Sequence, residues 1–126
     1  MGSLVKNAAF FLVEDEALLR MMTAEMLEEL GHRVVAEAGT ISAAESLARN
    51  AEFDLALLDI NVAGTNIAPI AQIIADRGLP FIFVSGYGLQ GRPQSFQDRP
   101  ALRKPFLIES LAQIIEKALS DRQCDN

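Results

Sequence analysis

Short apolar runs alternate with segments whose apolar residues recur every three or four positions. Residues 8–13 (Ala-Ala-Phe-Phe-Leu-Val) form an unbroken run of strand length. The period then changes over residues 16–30. Leu19, Met22, Met26, Leu27 and Leu30 fall three or four apart, which predicts a helix that puts them on one face and stops at Gly31. Val34, Val35 and Ala36 predict a second strand over 33–37. Thr40 is placed to cap a helix over 41–50, with Ala44, Leu47 and Ala48 inward. Residues 54–58 read as a third strand ending at Asp59, and 61–65 as a loop. A third helix is predicted over 66–77, with Ile70, Ile73 and Ile74 inward, Pro69 in its first turn and Gly78 closing it. Residues 80–84 predict a fourth strand ending at Ser85. The stretch 86–100 carries Gly86, Gly88, Gly91, Pro93 and Pro100, so a fourth helix there is expected to be short or irregular. A short fifth strand precedes Lys104. The last helix, 106–120, is expected to turn Leu107, Leu111, Ile114 and Ile115 to one face.

Strands alternating with helices predict an α/β fold with a parallel sheet covered on both faces, and unbroken apolar strands agree. Right-handed crossovers favour a doubly wound five-stranded sheet in the flavodoxin-like order 2-1-3-4-5. Its winding reverses between strands 1 and 3, and ligands bind at the carboxyl ends there. Glu14, Asp15 and Asp59 end those two strands, while Ser85 and Lys104 end strands 4 and 5. All five side chains are therefore expected at one edge.

Three carboxylates at close range repel one another, and a divalent cation relieves the repulsion. An all-oxygen donor set suits Mg2+, with Mn2+ able to substitute. Asp15 and Asp59 are expected to ligate directly, Glu14 directly or through water, and the backbone carbonyl of Asn61 as a further ligand. Asp59 can attack phosphorus, with Lys104 and Ser85 placed to meet phosphoryl oxygens. Each residue alone has an ordinary structural explanation. An acidic pair suits a helix N-terminus, Asp59 a turn and Lys104 the surface. Their joint placement favours the chemistry.

Length and charge narrow the setting. The 126 residues fit one domain, with an ordered core expected over about 7–120. A net charge of −6 argues against direct nucleic-acid contact. No apolar stretch is long enough to span a bilayer, and no secretory leader is recognised. The single cysteine, Cys124, fits a reducing cytoplasm. The single histidine, His32, is expected at the surface and counts against a histidine-based metal site.

The segments Val13-Glu14-Asp15-Glu16, Leu57-Leu58-Asp59, Ser85-Gly86 and Lys104-Pro105-Phe106 together resemble the receiver domains of bacterial two-component response regulators. The resemblance covers nearly the whole chain. It implies Asp59 as phosphoacceptor, Glu14 and Asp15 as the metal-binding pair, Ser85 as the switch hydroxyl and Lys104 as the phosphoryl contact. It also implies a cis Lys104–Pro105 bond. The implied role is a signalling phosphoacceptor that catalyses only its own phosphorylation and slow dephosphorylation. Its partners would be a histidine kinase or phosphotransfer protein and an unidentified downstream protein, with the chain a monomer or weak dimer. No output domain is recognised after the last helix, so output through protein contacts is expected.

The chain departs from the family pattern at Ala101, where receivers usually carry an aromatic switch residue. The stretch from Pro80 to Gly88 resembles a subgroup with a Phe-Ala-Thr-Gly-Tyr type motif, although Val84 and Ser85 replace its Ala and Thr. Tyr87 is the corresponding switch candidate. An adaptor that needs no phosphorylation, and a phosphoryl sink or shuttle, stay open. A haloacid-dehalogenase-like phosphatase fits less well, because its Asp-x-Asp motif follows the first strand, whereas Asp59-Ile60-Asn61 follows the third. A flavodoxin fits poorly, because the acidic edge would repel the flavin phosphate.

Overall fold

The computed structural model describes residues 7–86 and 92–124. The elements run β1 (Ala9–Val13), α1 (Ala17–Glu29), β2 (Arg33–Ala38), α2 (Ile41–Asn50), β3 (Leu55–Asp59), a small hairpin of β4 (Asn61–Val62) and β5 (Thr65–Asn66), then α3 (Ala68–Asp76), β6 (Phe81–Ser85), a 3-10 turn at Gln94–Phe96, β7 (Ala101–Arg103) and α4 (Ile108–Cys124). Five parallel strands pair in the order β2-β1-β3-β6-β7. Setting the hairpin aside, this is the predicted order 2-1-3-4-5.

Alternation along the strands divides the core. Phe11, Val13, Ala56, Leu58, Phe81 and Phe83 face α2 and α3, where Ala44, Ala48, Ile70 and Ile74 meet them. Phe10, Leu12, Leu55, Leu57, Ile82 and Val84 face the other way, against Leu27 of α1 and Leu111 and Ile115 of α4. Both faces of the three central strands are thus dry, which is why those strands carry no polar residue until their carboxyl ends. Burying each large side chain contributes roughly 1.5–3 kcal/mol.

The punctuation residues act as their chemistry suggests. Thr40 accepts a hydrogen bond from Ala43 N at 3.1 Å and caps α2. Gly31 and Gly78 end α1 and α3 at φ 94° and 76°, a region costly for residues with a Cβ. Pro69 sits in the first turn of α3.

Three expectations need correction, and one apolar side chain on the expected face of α1 stays exposed. Met22 is 45% exposed. Leu27, near the carboxyl end of α1, is its one fully buried residue. An apolar cavity of about 340 Å³ is lined by Met22 and Met26 of α1 and by Leu12, Leu57 and Val84 of the sheet. Leu107 is 69% exposed and stands one residue before α4, which begins at Ile108. His32 is buried, not superficial: its Nδ1 accepts from Ala8 N at 3.1 Å and its ring tilts against Phe10. Residues 61–65 are not simply a loop. They enter a hairpin whose two turn residues, Ala63 and Gly64, have φ 51° and 89°, the signature of a type I′ connection.

Within 86–100 the described residues form only the Gln94–Phe96 turn, in keeping with an irregular fourth helix. Among the described residues, no helix is long and apolar enough to cross a membrane.

Candidate functional site

The carboxyl edge of the sheet brings the predicted residues together. Asp59 is the last residue of β3 and is 6% exposed. The β3–β6 ladder places it beside Val84, and Ile60 N continues the pairing by donating to Val84 O at 3.0 Å. Glu14 follows β1 directly and is also buried, its amide donating to Ala38 O at 3.0 Å. Asp15 follows it into solvent, and its Oδ2 accepts from Ala63 N at 3.2 Å. That contact ties the acidic pair to the hairpin, where Asn61 Oδ1 accepts from Gly64 N at 2.8 Å.

Lys104 reaches this edge from the end of β7. Its amide donates to Ser85 O at 2.8 Å, fixing the segment against β6. Its Nζ donates to Glu14 Oε1 at 3.1 Å and to Asp59 Oδ2 at 3.2 Å. The Lys104–Pro105 peptide is cis. Ser85 is buried at the end of β6. Asp15, Asp59, Asn61, Ser85 and Lys104 all line one open cleft of about 680 Å³. Tyr87 lies outside the described residues.

The charges are unbalanced. One carboxylate oxygen from each of Glu14, Asp15 and Asp59 falls within 4.8 Å of the other two. Burial and the neighbouring Glu14 charge push the Asp59 carboxyl up to about 6, although the Lys104 ammonium works against them. Burial alone would lower the Lys104 ammonium, but its hydrogen bonds and the facing carboxylates outweigh that and raise it. Three converging carboxylates that one ammonium does not neutralise, open to solvent on one side, fit a hard divalent cation with oxygen ligands.

The sequence did not single out Arg20. Its Nη1 donates to Glu14 O at 2.6 Å and its Nε to Glu37 Oε1 at 3.2 Å. The available signal was a cation one helical turn after the acidic pair, which by itself reads as an ordinary surface arginine.

Comparison with known proteins gives the family. Residues 10–116 match the family described as the response regulator receiver domain. The chain is 34% identical over 113 residues to the transcriptional regulatory protein PdtaR of Mycobacterium tuberculosis, in an alignment covering 86% of this chain and 55% of that protein. The chain thus spans about half the length of the curated relative it matches. Among solved structures, the anti-anti-sigma factor PhyR from Bartonella quintana superposes with a TM-score of 0.83 at 28% identity, over 98% of this chain and 51% of that one. SdrG from Sphingomonas melonis Fr1 superposes with a TM-score of 0.76 at 33% identity, over 98% of this chain and 99% of that one. The chain belongs to the response regulator receiver domains of two-component systems.

Proposed function

We propose that the chain is a phosphoacceptor domain that takes a phosphoryl group onto Asp59 and passes the signal on through protein contacts. The observation that carries this reading is the buried Asp59 carboxylate, held 3.2 Å from Lys104 Nζ beside Glu14 and Asp15. Residues 1–126 are read as one such domain, working in the cytoplasm.

Glu14, Asp15, Asp59 and the backbone carbonyl of Asn61 would hold Mg2+, or Mn2+ in its place. The bound ion would supply positive charge against the phosphoryl oxygens. The donor is a phosphohistidine of a kinase or phosphotransfer protein. An Asp59 carboxylate oxygen attacks phosphorus, the P–N bond breaks, and its electron pair returns to the imidazole, which takes up a proton. An acyl phosphate results. Lys104 then exchanges a carboxylate partner for a phosphoryl oxygen, and the Ser85 hydroxyl donates to another. Tyr87, in a stretch that resembles the Phe-Ala-Thr-Gly-Tyr subgroup, is a candidate to relay that change. Unaltered partner binding by Tyr87→Ala would remove it from the mechanism.

Acetyl phosphate with Mg2+ tests the central step. Label is expected on wild type and absent from Asp59→Ala.

A second reading, an adaptor that needs no phosphorylation, is favoured by one observation. Ala101 leaves no ring on β7 to move, and the neighbouring Phe96 is already buried. Equal partner affinity with and without beryllofluoride would support the adaptor. A marked gain with beryllofluoride would support the phosphoacceptor.

A further inference from the structure

We infer that Arg20 is a positioning residue for the cation site, fixing the main chain of the acidic pair, and that Gly39 is the residue whose missing side chain lets it do so. The inference rests on the reading of Glu14, Asp15 and Asp59 as that site.

Glu14 is where β1 leaves the sheet. Its amide still pairs with Ala38 O at 3.0 Å, while the β1 register pairs end one residue earlier, at Val13. A carbonyl at a half-buried strand end needs a donor, and Arg20 Nη1 supplies one at 2.6 Å. The same guanidinium donates through Nε to Glu37 Oε1 on β2 at 3.2 Å. One planar group thereby joins α1, the end of β1 and β2. The carbonyl it holds belongs to the peptide linking Glu14 to Asp15, so its direction sets where both carboxylates can point.

Gly39 supplies an independent observation. A Cβ built on it would lie 2.8 Å from Arg20 Nη1 and 3.7 Å from Glu14 O. Gly39 has no positive φ that would call for glycine. A side chain at position 39 would push the guanidinium, the far end of a flexible side chain, out of its place.

The sign of the effect separates positioning from simple electrostatics. Arg20 is a cation beside a cation site, so Coulomb's law alone predicts that its removal tightens metal binding. Positioning predicts the reverse. Gly39→Ala keeps every charge and displaces only the guanidinium.

The test is calorimetric titration of the metal-free protein with Mg2+ and with Mn2+, with circular dichroism melting to check the fold. Arg20→Ala and Gly39→Ala are each expected to weaken binding by about tenfold, the scale seen when a group orienting a metal ligand is lost. Arg20→Lys keeps the charge but lacks the planar pair of donors, and is expected to restore only part of the affinity. Should Arg20→Ala fail to fold, Gly39→Ala decides alone. Unchanged or tighter binding by the folded variants would overturn the inference. No binding by wild type would instead overturn the cation site itself, and this inference with it.

Discussion

Phe83 on β6 and Ala101 on β7 are register partners in the sheet, and the ring that packs on this corner comes from Phe96, 6.4 Å from Phe83. Phe96 also meets Phe81 edge-on at 5.3 Å, and the Arg99 guanidinium lies 4.5 Å from the Phe81 ring centre and 5.5 Å from that of Phe96. The aromatic missing from β7 is thus replaced by one from the 3-10 turn, which pins an otherwise irregular segment to β6 two residues before Ser85.

That packing predicts a large stability effect from a residue of the short 3-10 turn. Phe96→Ala should destabilise the protein by about 3 kcal/mol, the usual cost of emptying a buried aromatic site. Urea unfolding would measure it. A loss under about 1 kcal/mol would show that the corner is not packed as described.

The raised carboxyl of Asp59 predicts an unusual pH dependence. Its value is 3.8 when unperturbed and about 6 in the fold, so the folded state holds the proton more tightly. In metal-free protein this contribution favours folding below about pH 4 and is lost as pH rises through 6. Asp59→Asn should therefore stabilise metal-free protein at pH 7.5, on the order of 2 kcal/mol, with the gain disappearing by pH 4. Melting curves of wild type and variant across that range would check it. A pH-independent difference would refute the assignment.

His32 has the opposite sign. Burial lowers its imidazole below 6.5, so the unfolded chain binds the proton more tightly. The stabilisation is complete above 6.5 and is lost as pH falls through the folded value. The stability difference between wild type and His32→Asn should therefore narrow on acidification below pH 6.5. A difference that stays constant would mean His32 does not titrate between the two states.

The cap on α2 predicts a smaller effect. Thr40→Ala removes the acceptor for Ala43 N and should cost about 1 kcal/mol, while Thr40→Ser should cost much less. Urea midpoints of the two variants would separate the lost oxygen from the lost methyl.

Much of the architecture was legible because strand burial is two-sided. Runs such as Phe81–Val84 have no polar face and, at this length between turn residues, read as strands buried on both sides. Their first polar residues then mark the sheet edge, which is why Glu14, Asp59 and Ser85 could be placed together from sequence. Periodicity failed where packing is one-sided or absent. Met22 fits the helical period of α1 but overhangs a cavity, and Leu107 precedes the helix whose period it matches. The sequence also could not show His32 and Arg20 at work. Each acts through a backbone group of another residue, Ala8 N and Glu14 O, and such partners leave no pattern in side-chain order.

The most direct measurement is mass spectrometry of the intact protein after incubation with acetyl phosphate and Mg2+, followed by mapping of the modified residue. The account predicts a single phosphoryl adduct on Asp59, lost in Asp59→Ala and dependent on the divalent cation. An unmodified wild type, or an adduct that persists in Asp59→Ala, would contradict it.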